Sequence, residues 1–228
     1  MTFAEKVLSF NQSLQLDTTL LPKDIGVMNP FHDATVQHLT EQFYRKFFSD
    51  TNERHMIIGI NPGRFGGGVT GIPFTDPHKL SGKCGIAVDK LSAPELSSDF
   101  MYMMMDAFGG TDKFYQKFFV TAISPLGFML KKNGRETNYN YYDSKELQAA
   151  VSSFIVETLK KQLDFGISRD VCFCLGTGKN FDYLSKVNKT HSFFDTIVPL
   201  DHPRFIMQYR RKKVDDYIRK YLEAFSKV

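Results

Sequence analysis

Asn61 ends an apolar run, residues 55–60, and opens the segment Asn61-Pro62-Gly63-Arg64-Phe65-Gly66-Gly67-Gly68-Val69-Thr70-Gly71-Ile72-Pro73-Phe74. A carboxamide held at the end of a strand both donates and accepts hydrogen bonds. Gly66, Gly67, Gly68 and Gly71 let the backbone turn sharply and approach a ligand closely. Phe74, behind Pro73, offers an aromatic face. A second reactive type, His202, follows another apolar run in Asp201-His202-Pro203-Arg204. An imidazole there could donate, accept or carry a proton. These residues fit a hydrogen-bonding pocket with an aromatic wall. The competing readings are a Gly-rich turn capping the next helix and a purely structural histidine.

Three other segments invite a chemical reading. Leu175-Gly176-Thr177-Gly178-Lys179-Asn180 looks like a phosphate loop but lacks the Walker spacing: Phe173 stands where Gly is needed, and Asn180 replaces Ser or Thr. It reads better as a strand-to-helix turn. Residues 129–143 mix Lys131, Lys132 and Arg135 with Asn and three Tyr, which suits a nucleic-acid-facing loop or a solvated surface loop equally. Arg210, Arg211, Lys212 and Lys213 form the one run of four like charges. Cys84, Cys172 and Cys174 make no complete disulfide framework. Cys172 and Cys174 alternate in an apolar run, so they read as a buried, reduced pair on one strand face.

The elements that must position these residues follow from periodicity. Apolar, β-branched or aromatic runs at 55–60, 117–123, 170–176 and 194–200 predict four strands. Their continuous apolar character suits strands covered on both faces, as in a parallel sheet. Leu147, Val151, Phe154, Ile155 and Leu159 recur at helical spacing within 143–165, with Asp143 or Ser144 as N-cap. A second stripe runs from Val214 through Ile218, Tyr221 and Phe225. Met103 to Phe108 predicts a helix ended by Gly109-Gly110, its methionines filling core. Alternating strands and helices predict a three-layer α/β/α fold with a central, mainly parallel four-stranded sheet. Ligands bind such sheets beyond the strands' carboxyl ends, which is where Asn61 and His202 fall.

Bulk properties bound the function. The 228 residues, 42% hydrophobic and 24% charged, suit one globular domain over 1–228. A net charge of +4 is compatible with a polyanionic partner without requiring one. The N-terminus has no signal-peptide pattern, and no run approaches a membrane span of about 20 apolar residues. A reduced, soluble, cytoplasmic protein is expected.

Residues 59–77, GINPGRFGGGVTGIPFTDP, resemble the first motif of the single-strand-selective monofunctional uracil-DNA glycosylase family, with agreement at Asn61, Pro62, Gly63, Phe65, Gly66, Thr70, Gly71, Pro73 and Phe74. Residues 119–128, FVTAISPLGF, are similar to its second motif, Asp201 to Phe205 to the opening of its last, and residues 27–33 to its upstream Asn-Pro segment. The likeness is to a bacterial second branch of the family. It implies base flipping from DNA and hydrolysis of the glycosidic bond of uracil, with no metal or organic cofactor. Asn61 would position the water, Phe74 would stack on the extruded base and His202 would contact the base oxygen. Ile60, Gly63, Phe65, Ala122 and Ser124 complete the expected base pocket. Arg64, Arg204, Phe205, Ile206 and Met207, with the tract Arg210, Arg211 and Lys212, form the expected DNA surface. Phe205 or Ile206 would enter the base stack as the wedge.

Asn orients water without deprotonating it, which suffices if the base departs first and leaves a cationic sugar. The base leaves as an anion, which a donor at His202 would stabilise. Two positions depart from the family pattern. Ala122 stands where an Asn reads the uracil edge, and Pro-Arg-Phe-Ile-Met-Gln follows His202. The first departure predicts a range wider than uracil, xanthine being the expected addition. Two other functions share these residues: a non-catalytic nucleic-acid-binding module, and an α/β hydrolase or transferase of free nucleosides or nucleotides. DNA as partner and a monomeric state are the expectation.

Overall fold

The computed structural model describes residues 1–89 and 94–228. In chain order the elements are α1 (Phe3–Ser13), β1 (Ile25–Met28), α2 (Ala34–Phe47), β2 (Arg54–Gly59), α3 (Gly67–Thr70), α4 (Pro77–Gly82), α5 (Leu96–Phe108), α6 (Thr111–Lys117), β3 (Phe118–Ala122), β4 (Gly127–Lys132), β5 (Arg135–Tyr139), α7 (Lys145–Leu163), β6 (Ile167–Leu175), α8 (Lys179–His191), β7 (Thr196–Leu200), α9 (Pro203–Tyr209) and α10 (Val214–Phe225).

The four expected strands form one parallel sheet in the order β3-β2-β6-β7. Strand β2 reads Met56-Ile57-Ile58, all fully buried, because both faces are covered. Adjacent Phe118 and Phe119 show the two layers. Phe118 packs against Phe108, Phe114 and Phe225 on α5, α6 and α10. Phe119 meets Phe3 on α1, Phe48 just after α2, and Phe165. Pro199 sits in β7, an edge strand, where a missing N–H costs no ladder bond. Ser144 is the N-cap of α7, bonding the Leu147 N–H, and Gly109 ends α5 at φ 116°. Cys172 and Cys174 are buried free thiols, as read.

At the amino end of β2 the Arg54 guanidinium is wholly buried between the rings of Phe3 and Phe48, 4.7 Å from each centroid. Asp50 takes two of its N–H groups at 2.8 Å, and the Tyr115 carbonyl takes Nε at 2.7 Å. A buried charge survives when it is paired and fully hydrogen-bonded. This end of the sheet is structural.

Residues 129–143 are not a loop. Strands β4 and β5 form a hairpin that β1 extends into a second, antiparallel sheet of three strands. Its turn, Asn133-Gly134, has φ 52° and 70° at two successive residues. That is the primed geometry whose twist suits a hairpin, and Asn-Gly is its usual sequence. The turn chemistry was legible; the polar exposed face of β5 hid the strand.

Candidate active site

The carboxyl ends of the parallel strands lie level because the ladder runs past them. The N–H of Ile123 donates to the Gly59 carbonyl at 3.0 Å, that of Ser124 to Ile60 at 3.1 Å, and that of Gly176 to Leu200 at 2.7 Å. Beyond this edge opens a cavity of about 370 Å³, within the range of small-ligand pockets. Asn61, Phe74 and His202 all line it, together with Ile60, Gly63, Ala122, Arg204 and Phe205. A larger cleft of about 460 Å³ between α1 and α2 lies away from the strand ends.

Asn61 is pinned by the hairpin. Its Nδ2 donates to the carbonyls of Tyr139 and Pro62, each at 3.3 Å, and its Oδ1 accepts the Tyr141 N–H at 3.1 Å. Both amide protons are therefore committed, and one lone pair of Oδ1 is left for a ligand. Tyr141 is held in turn: its hydroxyl donates to Asn180 Oδ1 at 2.9 Å, and Asn180 Nδ2 reaches the carbonyls of Leu175 and Gly59. Asn180 is thus a buried tie between strand ends, and the 175–180 segment is the strand-to-helix turn into α8.

The Gly-rich segment is built to carry Phe74. Gly71, at φ 72°, ends the short helix α3, and a Cβ there would meet Val36 and Thr40 at 2.6 Å. Thr70 is buried, donating to the Thr75 carbonyl at 2.6 Å and accepting the Ile72 N–H at 3.1 Å. Phe74 itself adopts φ 54°, a conformation costing a non-glycine residue about 1–3 kcal/mol and concentrated at functional sites. Its ring centroid is 5.7 Å from that of His202.

His202 is the N-cap of α9, with Pro203 in the first turn. Its Nδ1 accepts the Arg204 N–H at 3.2 Å. A backbone N–H only donates, so in the neutral ring the proton sits on Nε2. Burial of the ring, and secondarily the Arg204 charge, lower its pKa to about 4. Its edge reaches the cavity, but the surrounding protein leaves little water to solvate a cation. At neutral pH His202 is an uncharged Nε2–H donor.

Several expected positions fall elsewhere. Ser124 is fully buried and its hydroxyl donates to the Leu126 carbonyl at 2.8 Å, so it does not face the cavity. Phe65 is 44% exposed beneath the Arg64 guanidinium, outside the cavity. Ile206 and Met207 are 0% and 5% exposed on the buried side of α9; helical spacing turns them inward and leaves Arg204 and Phe205 outward. Neither can enter a base stack. Arg210, Arg211 and Lys212 are exposed, and Arg210 lies 5.4 Å from the Phe205 ring centroid. Two cation–aromatic pairs thus lie near the cavity, Arg64 with Phe65 and Arg210 with Phe205. Glu95, Asn138, Asn140 and Tyr209 also line the cavity; the two asparagines belong to residues 129–143, for which the sequence offers a nucleic-acid-facing reading, and nothing in the local sequence marks Glu95 or Tyr209.

A cavity of this size, with a rim that carries aromatic rings and guanidinium groups, suits enzymes that flip a nucleotide out of DNA. The chain belongs to the uracil DNA glycosylase superfamily, whose family match spans residues 45–226. It is a uracil-DNA glycosylase, a hydrolase of N-glycosyl bonds that acts on DNA in repair. The structure is similar to the crystal structure of WT Pedobacter heparinus SMUG2, with TM-score 0.96 and 50% identity over 99% of this chain and 97% of that one. No curated protein matches the chain. No helix among the described residues is long and apolar enough to cross a membrane.

Proposed function

We propose that the protein excises uracil and also a deaminated purine, with xanthine the expected second substrate, through Asn61, Phe74 and His202. The free lone pair of Asn61 Oδ1 accepts a hydrogen bond from the attacking water and aims its oxygen at the sugar. Phe74 stacks on the flipped base, worth about 1–3 kcal/mol. The Nε2–H of His202 meets the base oxygen as it gains negative charge. The observation that carries this reading is the pinning of Asn61 by Tyr139 and Tyr141 on the same cavity as the other two.

Ala122 supports the wider range. It is the last residue of β3, opposite Gly59, and it lines the cavity. Its methyl group neither donates nor accepts, so a non-uracil base leaves no polar group there unpaired. Single strands and mismatches flip at the lowest cost. The whole 228-residue chain acts as one domain and as a monomer in the cytoplasm, on the nucleoid in a bacterial host.

The test is the ratio of single-turnover rates on uracil and xanthine in wild type and Ala122→Asn. Restoring the carboxamide should sharpen preference for uracil by about 1–2 kcal/mol. A wild type that excises only uracil, with an unmoved ratio in the variant, refutes this account of Ala122.

A further inference from the structure

We propose that Glu95 is the general base of the reaction, its carboxylate taking the proton of the water that Asn61 orients. The inference rests on the glycosylase reading of this site.

Glu95, just before α5, reaches across to the Gly-rich segment. A Cβ on Gly66 would overlap its Oε2, and one on Gly63 would lie 4.0 Å from its Oε1. Glycine at these positions leaves room for the carboxyl on the same wall that Asn61 opens, two residues before Gly63. The backbone N–H of Glu95 donates to Asp76 Oδ2 at 2.9 Å. Oε2, by contrast, is buried and has no hydrogen-bond partner among the described residues. A carboxylate oxygen buried without a partner is costly, and the side chain that carries it stands on the wall of the substrate cavity.

A carboxylate on this wall gives the proton of the attacking water a destination inside the site. The C1′–N bond breaks with its electrons going to the base, which His202 stabilises. The water oxygen bonds C1′ and must lose a proton. Asn61 cannot take it. Among the described residues, the ionisable ones that line the cavity are Glu95, His202, Arg204 and Tyr209. His202 has its Nδ1 engaged and resists protonation, Arg204 is a donor-only guanidinium, and Tyr209 is a phenol on the exposed rim. Glu95 remains. As a carboxylic acid it then returns the proton to the departing base anion, resetting the site. The carboxylate charge also favours the cationic sugar left by the base.

The surroundings suit that task. Burial, and then the Asp76 carboxylate at the N-cap of α4, push Glu95 up to about 7, while Arg204 on α9 acts in the opposite sense. Arg64, on the Gly-rich segment, is turned aside by its bond to the Glu136 carbonyl, and His202 is neutral. A general base works best with a pKa near the working pH. Its active form is populated as pH rises through about 7.

The experiment is single-turnover excision of uracil from a single-stranded oligonucleotide across pH 5.5–9, for wild type, Glu95→Gln and Glu95→Asp, with affinity for abasic-site DNA measured in parallel. The wild-type rate should rise about tenfold per pH unit on the acid side and level off near neutrality. Glu95→Gln should lower the plateau by about 10²–10⁴-fold and abolish the limb, with affinity unchanged. Glu95→Asp should retain the limb at a reduced rate. A wild-type profile without the limb overturns the proposal even if the variants do not fold. So does a Gln variant that keeps the wild-type rate or the limb, or whose loss lies wholly in affinity. A wild type that releases no uracil at any pH overturns the glycosylase reading itself, a distinct result.

Discussion

The ring of Phe74 fills the space that a side chain on Gly59 would need: a Cβ there would meet Cε2 and Cζ at 2.8 Å. The last residue of β2 is glycine so that an aromatic ring can lie over the strand end. Gly59→Ala should therefore displace the stacking face without touching a hydrogen bond of the site. Losing a stack worth about 1–3 kcal/mol corresponds to about a 5- to 150-fold fall in kcat/KM on a uracil oligonucleotide. The double variant Gly59→Ala/Phe74→Ala should be no worse than Phe74→Ala. Additive losses would mean that the two residues act separately.

Asn61→Ala should abolish most turnover, since the water loses its acceptor and the hairpin loses its bonds to the carboxamide, and it should leave binding to abasic DNA, which needs no water, nearly intact. Wild-type rates under single-turnover conditions would remove Asn61 from the mechanism. Tyr141 tests the same point through its own variant, because its backbone N–H, not its ring, holds Oδ1. Tyr141→Phe keeps that bond and should cost far less activity than Asn61→Ala.

His202 should titrate near pH 4 by imidazole NMR rather than near 6.5. The sign for stability follows: the folded state disfavours the proton, so this contribution is present above pH 6.5 and is lost as pH falls through about 4. His202→Ala should slow excision by about 10²–10³-fold, as for loss of one oxyanion donor. The loss should shrink for a better leaving group such as 5-fluorouracil. An equal loss for every base would place His202 outside the leaving-group contact.

Phe205 is the exposed aromatic of the 204–207 stretch, 38% exposed and next to Tyr209. Phe205→Ala should slow excision from duplex far more than from single strands, because only a duplex must be held open after the base leaves. Equal slowing on both substrates would dismiss the wedge.

The tract Arg210 to Lys213 joins α9 to α10 and is exposed throughout. Each true phosphate contact should add about 0.9 to the log–log slope of duplex affinity against salt. A quadruple variant with these charges neutralised should flatten that slope, and an unchanged slope would return the tract to ordinary solvated surface.

Periodicity and motif spacing determined a good deal. The four runs read as strands pair as one parallel sheet, since strands covered on both faces carry an unbroken apolar signal. Asn61 and His202 sit at the same offset from the ends of β2 and β7, and Phe74 lies further along the segment that leaves β2, so their common cavity was legible once the sheet was. Tertiary structure decided the rest. Ile206 and Met207 read as DNA-facing until the phase of α9 against α5 turned them into the core. Ser124 lies at the right strand end, yet its hydroxyl closes on Leu126. The hairpin β4–β5 grips Asn61 through backbone groups of Tyr139 and Tyr141, and a backbone N–H or carbonyl has no sequence signature. Glu95 is brought beside Gly66 and Asp76 by folding alone; its missing partner and raised pKa arise from the desolvated space those neighbours create, a property of the assembled site that no residue carries by itself.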